Sequence, residues 1–175
     1  MSGGRPRTSL VKQRLYGNIS MTTSSTSILP LRGGCQCGAV KFELHSWPTK
    51  PHVCHCRMCQ KASGAPFMAF AELPLTDIVW TRLQPSWFRS SEAVERGFCS
   101  ACGTSLHFRY VGGDRIDIAL ACLYRPNLIV PEEQVGCEGR LPWLDVLEAL
   151  PASTTEASTP AEALKKYASR QHPDE

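Results

Sequence analysis

Between positions 39 and 44 (AVKFEL), apolar Val40, Phe42 and Leu44 alternate with Lys41 and Glu43, the period-two pattern of a strand with one buried face. A second apolar run, FMAFAEL at 67–73, follows a Gly/Pro turn. A third, LHFRYV at 106–111, is separated from RIDIALACLY at 115–124 by the Gly112-Gly113-Asp114 turn, so these last two predict a hairpin. Helical periodicity is weak, and only PWLDVLEAL at 142–150 predicts a short helix, stopped by Pro151. The pattern therefore predicts a mainly β domain of short antiparallel sheets over residues 31–150.

The flanks differ. Residues 1–29 are basic, Ser/Thr-rich and free of acids, with no apolar stretch long enough for a secretory signal peptide. They are expected to be a disordered leader ahead of a natural start at Met21, which implies a cytoplasmic protein. Their Arg- and Ser-rich composition also fits a mitochondrial transit peptide. From Pro151 the chain reads as a linker and a short helical tail (151–175), in which Thr159, Pro160 and Glu162 predict a capping box at the start of a helix.

Composition adds limits rather than detail. With 175 residues, 42% hydrophobic and 20% charged, the chain suits one globular domain plus tails. Its longest apolar stretch, residues 116–124, is broken by Asp117 and falls short of the roughly 20 apolar residues of a membrane-spanning helix, so no membrane partner is expected. The net charge of +3 is misleading. Six Lys/Arg and no acid fall in residues 1–41, leaving 13 basic against 16 acidic groups in the remainder. A mildly acidic body is a poor polyanion binder, and nucleic acid is not an expected partner.

The cysteines carry the chemistry. Nine is an odd number, and seven of them fall in three tight groups: Cys35-Gln36-Cys37, Cys54-His55-Cys56-Arg57-Met58-Cys59, and Cys99-Ser100-Ala101-Cys102. Such spacing suits metal ligation better than disulfide pairing. In a strand, Cys35 and Cys37 would point to one face, and a C-x-x-C knuckle closed by Gly103 supplies Cys99 and Cys102. These four thiolates predict a closed tetrahedral structural zinc. Cys54, Cys56 and Cys59 offer three, one short of a tetrahedron, and an open position is what a catalytic zinc keeps. His52 or His55 could close that site, although in an extended segment His55 would point away from its neighbours. Two zinc ions per chain are thus expected.

Cys122 reads as a buried small hydrophobe and Cys137 as an exposed thiol. Trp47, Trp80, Trp87 and Trp143 are expected to pack, and His45, His107 and His172 to be surface or satisfied histidines. Nucleotide-binding and serine-hydrolase motifs are absent from the sequence.

The segments GGCQCGAVKFEL, CHCRMCQKASGAPF, FCSACGTSL and LPWLDVLEALP, in this order, resemble the glutathione-dependent formaldehyde-activating enzyme family, also called the centromere protein V/GFA domain. The resemblance implies a zinc-bearing β-tent fold. It matches Cys35, Cys37, Cys99 and Cys102 to structural zinc ligands and Cys54, Cys56 and Cys59 to those of a catalytic zinc. It also implies a carbon–sulfur lyase that joins formaldehyde or a small aldehyde to glutathione or another small thiol. The centromere-protein branch implies the alternative of a non-enzymatic zinc-binding interaction module. One departure stands out: at Pro131-Glu132-Glu133-Gln134, glutamine occupies the place where the family pattern leads one to expect histidine. Arg57, Lys61 and Arg109 are candidate partners for substrate carboxylates, though solvated surface charges are the simpler reading.

Overall fold

The computed structural model describes residues 28–167 and 169–174, so the leader, including Met21, lies outside the described residues up to position 27. Among these residues ten strands form two sheets. β1 (Leu31–Gly34), β2 (Lys41–Leu44) and β5 (Ile78–Trp80) make a three-stranded antiparallel sheet in the order β1-β2-β5. The larger sheet runs β10-β3-β4-β9-β8-β7-β6, using β3 (Thr49–Cys54), β4 (Met68–Pro74), β6 (Ser86–Arg89), β7 (Val94–Phe98), β8 (Ser105–Tyr110), β9 (Arg115–Ala119) and β10 (Glu133–Val135). Its one parallel pair is β10 with β3; every other pair is antiparallel. The expected mainly β fold and the β8–β9 hairpin are both present.

The alternation in the sequence becomes burial. Phe42 and Leu44 of β2 are buried while Lys41 and Glu43 are not, and in β9 Ile116 and Ile118 are buried around half-exposed Asp117. β4 behaves differently because both of its faces are covered. Ala69, Ala71 and Leu73 pack in the main core with Phe42, Leu106 and Ile118, while Met68 and Phe70 pack on the other side with Cys59 and Ala119. A strand buried on two faces needs a continuous apolar run, which is what FMAFAEL provides.

The sheets meet over an aromatic cluster. Phe42 and Trp80, opposite one another across β2 and β5, hold the His107 ring of β8 at 5.1 and 4.8 Å between centroids. His107 is therefore a core residue, not a surface or satisfied histidine: it is 1% exposed and neither ring nitrogen has a hydrogen-bond partner. Burial, with the nearby Arg109 charge, lowers its pKa to about 3, so the ring is neutral. Trp47 and Trp87 also pack on this core, but Trp143 is exposed.

Helix is sparse. α1 (Arg57–Ser63) has no counterpart among the sequence-based expectations, since seven residues with few apolar positions carry little helical period. The segment Pro142–Ala149 is a run of 3-10 turns where a short helix was expected. In the tail the expected capping box at Thr159 does not form. Instead Thr154 caps α2 (Thr155–Ser158) by accepting from the Ala157 N–H at 3.2 Å, and α3 (Ala161–Leu164) follows Pro160 without a side-chain cap. Among the described residues no helix is long and apolar enough to cross a membrane.

Candidate metal centres

All nine cysteines are free thiols, and seven gather into two groups within which every Sγ lies within 4.8 Å of the others. Cys35, Cys37, Cys99 and Cys102 form one; Cys54, Cys56 and Cys59 form the other.

The first group joins two loops that are distant in the chain. Cys35 and Cys37 are not in a strand, as the C-x-C spacing had implied, because β1 ends at Gly34. A tight turn brings the thiols together instead: Gly38 N–H donates to Cys35 O, Cys35 N–H donates to Val40 O, both at 3.0 Å, and Gly38 takes the left-handed φ of +72°. Gly103 plays the expected part on the other loop, with φ +77° and its N–H donating to Cys99 O at 2.8 Å. Sulfur separations are 3.6 Å for Cys35–Cys37 and 3.9 Å for Cys37–Cys99. A tetrahedral zinc with Zn–S bonds of about 2.3 Å requires sulfurs about 3.8 Å apart, so this donor set fits that ion. Burial pushes the Cys99 thiol up to about 12. Burial also opposes ionisation of Cys102, but the Thr104 hydroxyl and backbone, with Cys37, outweigh it and bring that thiol down to about 6.

The second group sits where β3 runs into α1. Cys54 ends the strand, Cys56 caps the helix with extended backbone (ψ 151°), and Cys59, three residues on, returns to the same side of the first turn. Burial raises Cys54, and pushes Cys59 up to about 12 despite the Arg96 charge beside it. Cys56 is lowered, because the N–H groups of Cys59 and Met58 and the neighbouring thiols outweigh its burial. Among the described residues no histidine or carboxylate joins the three thiols. The His55 ring is turned to Gln134, with Nε2 2.9 Å from Oε1, and to the Phe67 ring at 5.6 Å, the outward orientation expected of an extended segment. His52 is also apart, its Nδ1 3.0 Å from Lys50 O.

Several residues that support this group carried no signal in the sequence. Gln60, buried on α1, donates to His55 O and to Gly139 O at 2.9 and 2.7 Å, tying the helix to the loop beyond β10. Gly136 in that loop has no room for a side chain, since a Cβ would lie 2.8 Å from Cys56 N. Arg96 of β7 is 5% exposed and donates from Nη2 to Cys59 Sγ at 3.5 Å. A charged residue on a buried strand face, three positions before a cysteine knuckle, was the only clue to it.

A cavity of about 600 Å³ opens beside the four-cysteine group. Cys35 and Cys102 line it directly, together with Ser63 of α1 and with Met68, Ala119 and Cys122, which pack in the same cluster as Cys59. Cys54, Cys56 and Cys59 themselves are not on its wall. Cys122 is largely buried and its thiol donates to Ser105 O at 3.4 Å; Cys137 is exposed, as expected. His172 also lines the cavity, with its N–H donating to Gln36 O at 2.7 Å. Of the three candidate cations, Arg57 and Lys61 are exposed on α1. Arg109 is engaged, bonded to Glu95 at 2.5 Å and stacked 4.0 Å over Trp87.

Comparison with known proteins places the chain in a family. An uncharacterized lyase of Schizosaccharomyces pombe is 33% identical over 81 residues, a match that spans 46% of this chain and 58% of that protein's length. A crystal structure of a Rhodobacter sphaeroides protein superposes on 60% of this chain and 100% of its own, with a TM-score of 0.46 and 23% identity. The profile of the family described as glutathione-dependent formaldehyde-activating enzyme matches residues 30–138, a segment that holds all three cysteine motifs. The chain belongs to the glutathione-dependent formaldehyde-activating enzyme family.

Proposed function

We propose that this chain is a zinc-dependent carbon–sulfur lyase that joins glutathione or another small thiol to formaldehyde or a small aldehyde, and releases them in reverse. The observation that carries the reading is the three-thiol group of Cys54, Cys56 and Cys59, which no fourth donor closes among the described residues. Cys35, Cys37, Cys99 and Cys102 would hold a structural zinc, and Cys54, Cys56 and Cys59 a second. When bound at three thiolates, zinc supplies a fourth position that suits a soft thiolate better than a carbonyl oxygen, because three anionic ligands already blunt its Lewis acidity.

The chain's own residues then act by geometry. Cys54, Cys56 and Cys59 are fixed by the strand–helix junction and leave one side of the site to the substrate. Met68, Phe70 and Phe108 pack against Cys59 and shield its sulfur from water. The neighbouring cavity, about 600 Å³, falls in the size range of small-molecule sites. Arg57 and Lys61, exposed on the helix whose last turn brings Ala62 and Ser63 to the cavity wall, are the candidate cations for a carboxylate-bearing thiol. In the forward direction the S–H adds across C=O: the sulfur–carbon bond forms, the carbonyl π bond breaks, and the proton leaving sulfur is matched by one taken up at oxygen. Nine free cysteines favour a reducing compartment, and the cytoplasm is the proposed setting.

The test is metal analysis alongside exchange kinetics between formaldehyde and glutathione in the wild type and in Cys56→Ser. Two zincs, with exchange faster than the spontaneous reaction and lost in the variant, support the lyase. Two zincs with no acceleration would overturn it.

A further inference from the structure

Arg96 is a permanently charged side chain in an unusual position. It is 5% exposed, and among the described residues no carboxylate lies within ion-pair distance of it. Its Nη2–H reaches Cys59 Sγ at 3.5 Å, its guanidinium lies 5.3 Å from the centre of the Phe108 ring, and its Nε and Nη1 are buried with no hydrogen-bond partner. An arginine cannot shed its charge, so such burial is tolerated only beside a compensating anion. Three neutral thiols would not provide one. A divalent ion on three thiolates carries one net negative charge, which a single guanidinium matches.

From this charge balance, and resting on the metal reading above, we propose that Arg96 is the positioning residue of the three-cysteine centre. Its cation offsets the thiolates and so lets that centre accept an anionic fourth ligand, a substrate thiolate, in preference to a neutral one. The hydrogen bond to Cys59 fixes the ligating sulfur and withdraws electron density from it, as outer-sphere donors do at metal sites. The Phe108 ring, 5.3 Å from the guanidinium carbon, adds a cation–π contact. Without Arg96 an entering thiolate would meet a centre already bearing a net negative charge; with it, the thiolate meets a neutral one. The unpartnered Nε and Nη1 carry three further N–H donors of this cation.

The experiment uses the full chain loaded with cobalt(II), whose visible spectrum reports each sulfur added to the metal. The wild type should hold two cobalts and show a sulfur-to-cobalt band that grows with glutathione and responds more weakly to imidazole. Arg96→Met should keep both cobalts yet bind glutathione about ten-fold or more weakly, with imidazole affinity unchanged or improved. Arg96→Lys, which keeps the charge but loses the planar fork, should recover part of the loss. Equal glutathione affinity in Arg96→Met and wild type would overturn the role of Arg96 alone, whereas a wild type holding only one cobalt would defeat the metal reading and this proposal together. If Arg96→Met does not fold, the wild-type ligand order decides, and tighter binding of imidazole than of glutathione overturns the proposal.

Discussion

His55 Nε2 lies 2.9 Å from Gln134 Oε1, a bond between β3 and the parallel strand β10 that turns the ring away from the cysteines on either side of it. An amide oxygen can only accept, so the bond fixes the tautomer with its proton on Nε2. Glutamine at 134 thus serves the histidine within the cysteine motif rather than the metal donors themselves.

Replacing Gln134 with Ala is expected to leave a buried N–H unpaired and to destabilise the fold by about 1–3 kcal/mol in denaturant unfolding. Metal content should not change, because the His55 ring joins neither cysteine group. Loss of one metal equivalent in this variant would mean that His55 supports ligation directly.

The four-cysteine group joins two loops 62 or more positions apart in the chain, and its metal should act as a staple. Cys99→Ser is expected to cost several kcal/mol, on the scale of structural zinc sites at about 10–16 kcal/mol of binding free energy, and to lower Tm far more than Cys56→Ser. Differential scanning calorimetry with metal analysis decides it, and an unchanged Tm and zinc content in Cys99→Ser would rule the staple out.

His107 gives a pH prediction with a definite sign. The folded ring stays neutral down to about pH 3, while the unfolded chain binds a proton below its ordinary value of 6.5. The unfolded state therefore gains protons first as pH falls, and stability declines by about 1.4 kcal/mol per pH unit between those limits. His107→Phe, which keeps an aromatic ring among Phe42, Trp80 and Trp87, removes this slope. Relative to pH 7, the variant should gain about 2 kcal/mol on the wild type at pH 5 by urea denaturation; parallel curves would show that His107 does not stay neutral.

Gly38 adopts φ +72°, and a Cβ there would overlap the His172 ring docked on the same turn. Gly38→Ala is expected to weaken the Cys35–Cys37 knuckle by about 1 kcal/mol or more from backbone strain alone. It should also release residues 171–174 from the cavity wall, read as faster amide exchange at His172. Unchanged protection at His172 would show that the tail docks independently of Gly38.

What the sequence revealed was local. Both C-x-x-C pairs, the C-x-C pair, the left-handed Gly103 and the β8–β9 hairpin rest on residues within a few positions of each other, where spacing translates directly into geometry. Even so, the C-x-C pair converges through a turn rather than a strand, because backbone bonds to Val40 and the left-handed Gly38 end β1 one residue early. The remainder depends on contacts far along the chain. Arg96 meets Cys59 across 37 positions and Gln134 meets His55 across 79, and neither pairing leaves a periodic trace. His107 looked like a surface histidine because β8 alternates His and Arg with apolar residues, and only the second sheet, bringing Phe42 and Trp80, shows that its face is buried. The helix α1 was hidden by its brevity.

The central claim is that one metal centre is closed by four thiolates and the other is left open by three. X-ray absorption at the zinc edge tests it most directly, on protein shown to hold two zincs, before and after glutathione is added. The account predicts an average of about 3.5 sulfurs per zinc without thiol, rising to about 4 with glutathione in the wild type. Four sulfurs per zinc at the outset, or a number that glutathione leaves unchanged, would contradict it.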